Sequence, residues 1–548
     1  MNAPVQNSNG QYNEQAQGPL AMSRVPIGKL ISLPEAESPS FMRMHVRLFP
    51  DTPSPKPGNW LSIEVNELNG LTHCVLGRVL NSWEHNPHED AQSSTVADVL
   101  PIKTVYAPEG ESTVIYRVAE LEPMEEVLLD QNGAIVVVNG KPTIHDVSTL
   151  PRAGTLVYEA SQNVVIAALG LEDNGDEGIV IGVLRSSGNP PTPAVIKRSA
   201  VQRHIFIGGG IGAGKSYTRG VLAEELHLLG VPQINIDVNG ELVEATNQLG
   251  GINLRPGKDG FTLPLSALTA QDVTNAIPAV NRGTNIETLI QYSHEALMKE
   301  RTLAKGEHFS VNDLVARIPQ DATDLDMKAN TWRPAQLRAE SLNRIDYIGE
   351  PFDWRTHIKP GALINIDCRG LLVSDLRLIV ASIARDLQRL AKREDNLFVV
   401  FSIDEFHLVA PNDDSTVTTQ VLRELARIGR HYKIGLILTT QSPQDVDRSI
   451  LKRLLTRFLH AIEPDQLDAL RGVFSDASST LINSLPKLPQ GTCIVTGAFE
   501  TIRHASVVDV RRRDTIHGGE TPDIWKDFAK HGWEGKKTLT LVEEARNA

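Results

Sequence analysis

The stretch Val201–Leu229, VQRHIFIGGGIGAGKSYTRGVLAEELHLL, decides the fold. It reads as a short apolar strand, a glycine-rich turn and an amphipathic helix in immediate succession. Within it, Gly209-Gly210-Ile211-Gly212-Ala213-Gly214-Lys215-Ser216 fits G-x-x-x-x-G-K-[ST] at every fixed position. Glycines let the backbone curl so that its N–H groups converge on phosphate oxygens, in conformations a side chain would forbid. The helix that opens at Lys215 adds the positive end of its dipole. Lys215 can then reach the β- and γ-phosphates of a nucleoside triphosphate, and the Ser216 hydroxyl is placed to ligate Mg²⁺. These eight residues and Tyr217 after them are the expected nucleotide contacts, with ATP and Mg²⁺ as the expected substrate and cofactor. The competing reading is a chance glycine-rich turn, and the flanking strand and helix weigh against it.

Working outward, 548 residues exceed what one compact core can hold, so several domains are expected. No apolar run approaches the ~18 residues of a membrane span, which predicts a soluble, cytoplasmic protein with no membrane partner. Residues 1–22 read as a polar tail without the basic and apolar segments of a signal peptide. Cys74, Cys368 and Cys493 are isolated from one another, against both a disulfide framework and a zinc site. The net charge of −13 is unevenly spread. Residues 1–200 hold 13 Lys+Arg against 23 Asp+Glu, leaving 41 against 44 in the remainder. A nearly neutral second part does not exclude DNA, because a channel needs only a local ring of positive donors.

Residues 23–195 carry short β-like runs: MRMHVRLF, WLSIEVNEL, HCVLGRVLNSW, TVIYRVAEL, EEVLLD, AIVVVNG, TLVYEA, NVVIAALGL and GIVIGVL. Turn-rich breaks separate them, predicting a β-barrel or sandwich with Ser187–Pro193 as the linker out of it. Over 196–510, strands alternate with long helices, the mark of a parallel sheet with crossover helices. A strand Pro232–Val238 carries Asp237, with Glu241 just beyond, to the sheet edge where ligands bind. A helical insertion is expected at about 266–347, where Thr284/Glu287 and Ser310/Asp313 have capping spacing. The helix Ser374–Arg393 puts Leu376, Ile379, Val380, Ile383, Leu387 and Leu390 on one core-facing stripe. Residues 511–548 read as a C-terminal tail.

The apolar run from Leu397 ends in Asp404-Glu405. An apolar strand that delivers two adjacent carboxylates suits phosphoryl transfer: Asp404 to hold Mg²⁺ through water or Ser216, Glu405 to orient and deprotonate the attacking water. The following helix, Thr418–His431, sets Arg423, Arg427 and Arg430 on one face. They form either a solvated stripe or an arginine finger offered to a neighbour's ATP. The strand Lys433–Thr440 ends at Gln441, a γ-phosphate sensor or a plain turn residue.

Together these residues resemble the HerA family of hexameric P-loop ATPases, relatives of the FtsK and conjugative-coupling motors. The resemblance is carried by GGIGAGKS, by Asp237-x-Asn239-Gly240-Glu241, by SIDEFH, by ELARIGRHYKIGLILTTQSPQDVD over Glu424–Asp447 and by LPQGTCIVTG over Leu488–Gly497. It implies an α/β fold: a RecA-like P-loop ATPase core with a helical insertion, preceded by an N-terminal β-barrel of the HerA and ATP-synthase type. It implies Lys215, Glu405, Gln441 and Arg430 as catalytic residues, Arg430 acting across subunits, with Ser216 and Asp404 at the metal. It also implies a homo-hexamer with double-stranded DNA in its channel, and a nuclease or NAD-cleaving effector docked on the barrel in DNA processing or bacterial antiphage defence. Arg255, Lys258, Arg333, Arg338 and Arg344 are candidate channel contacts. Two positions depart from the family: Val238-Asn239 stands where Pro-His is common, and Ser442 where Arg often follows the sensor. The leading function is an ATP-driven DNA translocase or helicase-like motor. The alternative is an ATP-regulated scaffold ring, and a metabolic kinase is the weakest reading.

Overall fold

The structure is a computed structural model that describes residues 24–33, 38–68, 70–85, 116–185, 191–257, 260–277, 280–393, 398–413, 416–467, 470, 477–497 and 501–518. Lys258, the two tails before residue 24 and after residue 518, and most of the expected Ser187–Pro193 linker lie outside them. Two compact units result: one holds the chain to Asp173 together with Leu184–Thr192, the other Asn174–Val183 and the chain from Pro193.

The first unit is a closed barrel. Its strands are β1 (Gly28–Ile31), β2 (Met44–Leu48), β3 (Trp60–Asn66), β4 (Thr72–His85), β5 (Tyr116–Leu129) and β9 (Leu156–Glu159). They run in the order β2-β1-β9-β3-β4-β5, and pairing of β2 with β5 closes the ring. Alternate side chains, among them Leu30, Val46, Ile63, Val75, Ala119 and Leu121, point inward and form its core. The runs TVIYRVAEL and EEVLLD belong to one strand: β5 passes through Pro123, which sits at a register shift opposite Gly77, where a missing N–H is tolerated. A hairpin of β6 (Val137–Val138) and β7 (Lys141–Pro142) follows, and β8 (Ile144–His145) returns to pair with β5.

Two β-like runs correct the sequence expectation. NVVIAALGL is a helix, Gln162–Leu169, ended by Gly170 in the left-handed conformation. An unbroken apolar run has no period-two signal, and the terminal glycine is the mark of a helix stop. GIVIGVL forms β10 (Gly178–Leu184), which pairs with β11 (Pro193–Lys197) at the edge of the large sheet of the second unit.

That sheet contains β12 (Ile205–Gly208), β13 (Gln233–Asp237), β14 (Ile252–Leu254), β15 (Leu363–Asp367), β16 (Val399–Ile403), β17 (Ile434–Thr440), β18 (Thr456–Leu459), β19 (Thr492–Thr496) and β20 (Ser506–Val510). The order is β11-β10-β20-β19-β18-β12-β17-β16-β13-β15-β14, parallel from β18 to β14. The β12 strand is separated in space from its sequence successor β13 by β17 and β16, which opens a crevice at the carboxyl ends. Helices cover the sheet, and the stripe on Val373–Arg393 is buried as its spacing predicts, with Leu390 partly so. Between β14 and β15 lie the helices Ala270–Ala276, Asn285–Leu297, Val311–Asp324, Ala329–Glu340 and Trp354–His357. Thr284 and Ser310 cap two of them, and Thr269 with Asp272 adds a capping box on a third. The chain is therefore α/β with a P-loop core, preceded by a β-barrel.

Candidate functional site

Every parallel strand of the crevice ends at one edge, and the register brings Gly208 beside Thr440, and Asp237 beside Asp367. The glycine-rich turn leaves β12 there and enters the P-loop helix, Lys215–Leu228, at Gly214, whose φ of 114° suits glycine. A Cβ at Gly209 would lie 2.6 Å from the Cβ of His460, so this part of the turn has no room for a side chain. Gly210 donates its N–H to Ala461 O (2.7 Å), and Gly491 donates to Ala213 O (3.2 Å), holding the turn from outside. Ile211, at its tip, is 90% exposed. Tyr217 donates nothing to the turn; its hydroxyl accepts the N–H of Arg513.

Lys215 is buried, and its ammonium donates to Gly210 O at 2.8 Å. Burial lowers its proton affinity, while Glu405, Asp404 and Glu241 pull it back up. Ser216 opens the same helix, half-buried. Facing them at the end of β16 are Asp404 and Glu405. Burial pushes the Asp404 carboxyl up to about 6 against the attraction of Arg219. Burial, and next the charge of Asp404, raises Glu405 to about 7, with Lys215 opposing. Asp404 Oδ2 and Glu405 Oε2 are both enclosed and accept no hydrogen bond among the described residues. Glu405 also holds φ at 43°, a left-handed conformation that costs a non-glycine residue roughly 1–2 kcal/mol. Such outliers gather at functional sites.

The residues fit the expected nucleotide and metal on these grounds: a turn with no room for a side chain at Gly209, a lysine on its rim, and two buried carboxylate oxygens that accept no hydrogen bond among the described residues. Gln441 follows the tip of β17, two strands' width from β13 and next to the P-loop strand. Beside it, Thr440 Oγ1 accepts the N–H of Ser442 (3.1 Å) and meets His407 Nδ1 at 3.1 Å, and that ring stands 3.5 Å from Glu405.

The arginine stripe is not one feature. Its helix spans Val417–Ile428, so Arg430 lies in the turn beyond, which corrects its expected place on the helix. Gly429 there packs so tightly that a Cβ would fall 2.4 Å from Leu425 O. Arg423 binds Asp447 at 2.6 Å, whereas Arg427 and Arg430 are exposed. Arg430 precedes β17, at the amino end of the parallel strands, and its own P-loop is at the carboxyl end. Geometry therefore does not bring Arg430 to the site of its own chain.

Three supports were not foreseen from sequence. Arg219, one helical turn past Lys215, is fully buried and donates to Ile236 O (2.9 Å) and Ser402 Oγ (3.3 Å), with Asp404 at 3.2 Å. A charge one turn from the lysine, on a face otherwise apolar, is the signal that could have found it. His460 receives the Thr218 hydroxyl at Nε2 (2.9 Å) and meets Thr492 O at Nδ1 (3.0 Å), and burial holds its proton affinity down to about 4. A neutral ring thus fastens the P-loop helix to β18 and β19. Finally, residues 511–518 are no loose tail. Glu224 Oε1 accepts from Asp514 N, Thr515 N and Thr515 Oγ1, Arg511 reaches Glu224 and Glu225, and Arg513 lies against Gly220.

Residues 179–387 match the family described as "Helicase HerA, central domain". The DNA double-strand break repair helicase HerA of Sulfolobus acidocaldarius is 23% identical over 478 residues, 83% of this chain and 90% of that protein. Its counterpart in Sulfurisphaera tokodaii is 22% identical over 356 residues, 61% and 70% of the two chains. Among solved structures, VirB4 of Thermoanaerobacter pseudethanolicus aligns at a TM-score of 0.47 with 17% identity, over 63% of this chain and 98% of that one. The plasmid coupling protein TrwB in complex with ADP and Mg²⁺ aligns at 0.44 with 14% identity, over 59% and 88%.

Proposed function

We propose that this P-loop ATPase, with its HerA-like central domain, is a ring-forming motor that couples ATP hydrolysis to movement along double-stranded DNA. The observation that carries the reading is the enclosed Asp404-Glu405 pair, short of donors and facing Lys215 across the cradle. Gly209 to Tyr217 would bind the triphosphate, with Lys215 leaving Gly210 O for the phosphate oxygens. Ser216 and Asp404 would hold Mg²⁺, which supplies neutralisation of phosphate charge when bound. Glu405, with its raised proton affinity, is matched to taking the proton of the attacking water near neutral pH. Gln441 would read the γ-phosphate from the neighbouring strand tip. Arg430, remote from its own cradle, serves a neighbour's site, which makes a closed ring, a homo-hexamer, the working form.

DNA as the track is supported by the DNA repair helicases among the relatives. An effector on the barrel, a nuclease or an NAD-cleaving enzyme, completes the proposal and gives it a place in DNA processing or antiphage defence. The acidic balance of residues 1–200 favours a second reading, a scaffold ring whose ATP cycle controls that effector. The deciding measurement is ATP turnover with and without duplex DNA at low and moderate salt. A motor should be stimulated by DNA of any sequence, and the stimulation should fade as salt rises, because phosphate contacts release counterions. Absence of both binding and stimulation, alone and with the effector, would give the scaffold reading the field.

A further inference from the structure

The strands β14 and β15 run parallel with Leu254 beside Ile366, so Arg255, the first residue past β14, stands level with Asp367 at the end of β15. Asp367 is enclosed, and arginines take both its oxygens. Arg369 donates from Nε (2.8 Å) and Nη2 (2.7 Å), and its backbone N–H adds a third bond (3.2 Å). Arg255 donates through Nε alone, at 3.0 Å. The bonds from Arg369, and after them the one from Arg255, hold the Asp367 carboxyl down to about 2 against the effect of burial. It is charged at any working pH. The cluster stands apart from the cradle, with β17, β16 and β13 lying between β12 and β15.

Two guanidiniums on one carboxylate leave a surplus positive charge, with the side chains of Arg255 and Arg369 69% and 47% exposed. Asp237, which ends the neighbouring strand β13, does not cancel it: that acid is enclosed and accepts the N–H groups of Gly240 (3.1 Å), Glu241 (3.0 Å) and Leu242 (3.0 Å). Nη1 and Nη2 of Arg255 and Nη1 of Arg369 bond to nothing among the described residues. A plain surface ion pair would set the forked end of the arginine on the acid. Arg255 keeps its fork and is steered by the nitrogen behind it. Planar forks of charged N–H donors match the oxygens of a phosphate, and here much of the side-chain ordering that opposes binding is already done in the folded chain.

We infer that Arg255 and Arg369, steered by Asp367, form a clamp for phosphate groups, which in the working ring grips the backbone of DNA. That the phosphate is DNA's rests on the motor reading above; the clamp itself does not, because a nucleotide offers the same oxygens. The grip carries no sequence preference, since both donors address phosphate and neither reads a base. Asp367 is a positioning residue: it touches no phosphate and sets the angle of two guanidiniums that do. Of the three, only Arg255 stands out in the sequence as a channel contact, and the register of β14 and β15 brings the other two to it.

The test uses full-length protein, fluorescence anisotropy of a labelled duplex over a series of salt concentrations, and KM for ATP measured without DNA. Arg255→Gln and Arg369→Gln should each weaken DNA binding about tenfold at low salt, the loss of one charged hydrogen bond, and flatten the salt dependence by about one phosphate contact. The loss should be equal on duplexes of different sequence, and KM for ATP should hold. Asp367→Asn separates steering from neutralisation. Taking an anion out of a plain basic patch would tighten DNA binding, whereas taking the support from a clamp should weaken it with the salt dependence kept, because both arginines remain. Arg369→Lys, which keeps the charge without the fork, should likewise lose affinity at an unchanged slope, and it answers the same question should Asp367→Asn misfold. Binding that tightens or stays level in these two variants overturns the steering. DNA binding unchanged in both glutamine variants, with KM for ATP raised, keeps the clamp and moves it onto a nucleotide. No change in either quantity overturns the clamp. A wild type that binds no duplex refutes the motor reading, and KM for ATP then reads the clamp alone.

Discussion

One buried carboxylate of the barrel and the buried acidic pair at the P-loop are treated in opposite ways. In the barrel, Glu126 is fully enclosed but saturated: His73 binds one oxygen, Ser148 N and Thr149 N donate to the other at 2.8 Å, and Thr149 Oγ1 adds a fourth bond. Burial alone would raise its proton affinity, yet these bonds outweigh it and bring it down to about 2. At the P-loop, Asp404 and Glu405 each keep one enclosed oxygen that accepts no hydrogen bond among the described residues, the ion pair of Asp404 with Arg219 notwithstanding, and both are pushed up. A saturated carboxylate is a fastening, here of the segment after β8 onto β5. An unsatisfied pair is a site whose remaining partners come from a ligand.

The comparison would break most sharply at Glu405. Glu405→Gln should cut turnover by roughly 10²–10⁴-fold and leave nucleotide binding intact, because only proton transfer is lost. Lys215→Ala should instead weaken binding, as seen by titration with a fluorescent nucleotide. Arg219→Ala would leave Asp404 enclosed without its countercharge, and a loss of about 3–5 kcal/mol is expected in denaturant unfolding of the second unit. A change below 1 kcal/mol there would mean that Asp404 is protonated or hydrated already. Mixing Arg430→Ala with Glu405→Gln subunits, each inactive alone, should restore part of the activity in proportion to mixed interfaces. Full activity of Arg430→Ala by itself would remove the finger.

The smallest effect belongs to the fastening. Glu126→Gln should cost about 1–3 kcal/mol of barrel stability with ATP turnover unchanged. Since the folded value lies below the unfolded 4.5, that stabilisation is present above pH 4.5 and is lost as pH falls toward 2. The gap between wild type and variant should close over that window. His73 has the opposite sign. Burial lowers it, but bonds to Glu126 and Glu67 raise it above 6.5, so its contribution holds at low pH and fades as pH climbs past the raised value.

What the sequence made legible was whatever short spacing encodes. The cradle, the acid pair and the stripe on Val373–Arg393 each occupy a few consecutive residues or one helix face, and all three appear where expected. Hidden features depend on contacts between distant segments: Arg219 with Asp404, and His460 with Thr218. Spacing also misled where two structures share one pattern. NVVIAALGL satisfies strand and helix alike, and Arg430 continues a helical period that Gly429 has already ended. Arg423 looked like surface until Asp447, from the next segment, was seen to claim it.

The strap over the P-loop helix also has a bearing on how the protein is made. Glu225 and the Arg511 that binds it are 286 residues apart, and β20, which sits between β10 and β19, is the last strand of the sheet in sequence. At about 5–20 residues per second, a ribosome needs roughly 15–60 s to supply the second half of that contact. For that interval the nascent P-loop helix shows Glu224 and Glu225 without their arginines, and the sheet has a bare edge at β10. A core of such long-range closure folds late and slowly. ATP-binding competence should therefore arise only after residue 511 has left the exit tunnel, and ribosome-stalled chains of increasing length, probed for nucleotide retention, would show it as a step.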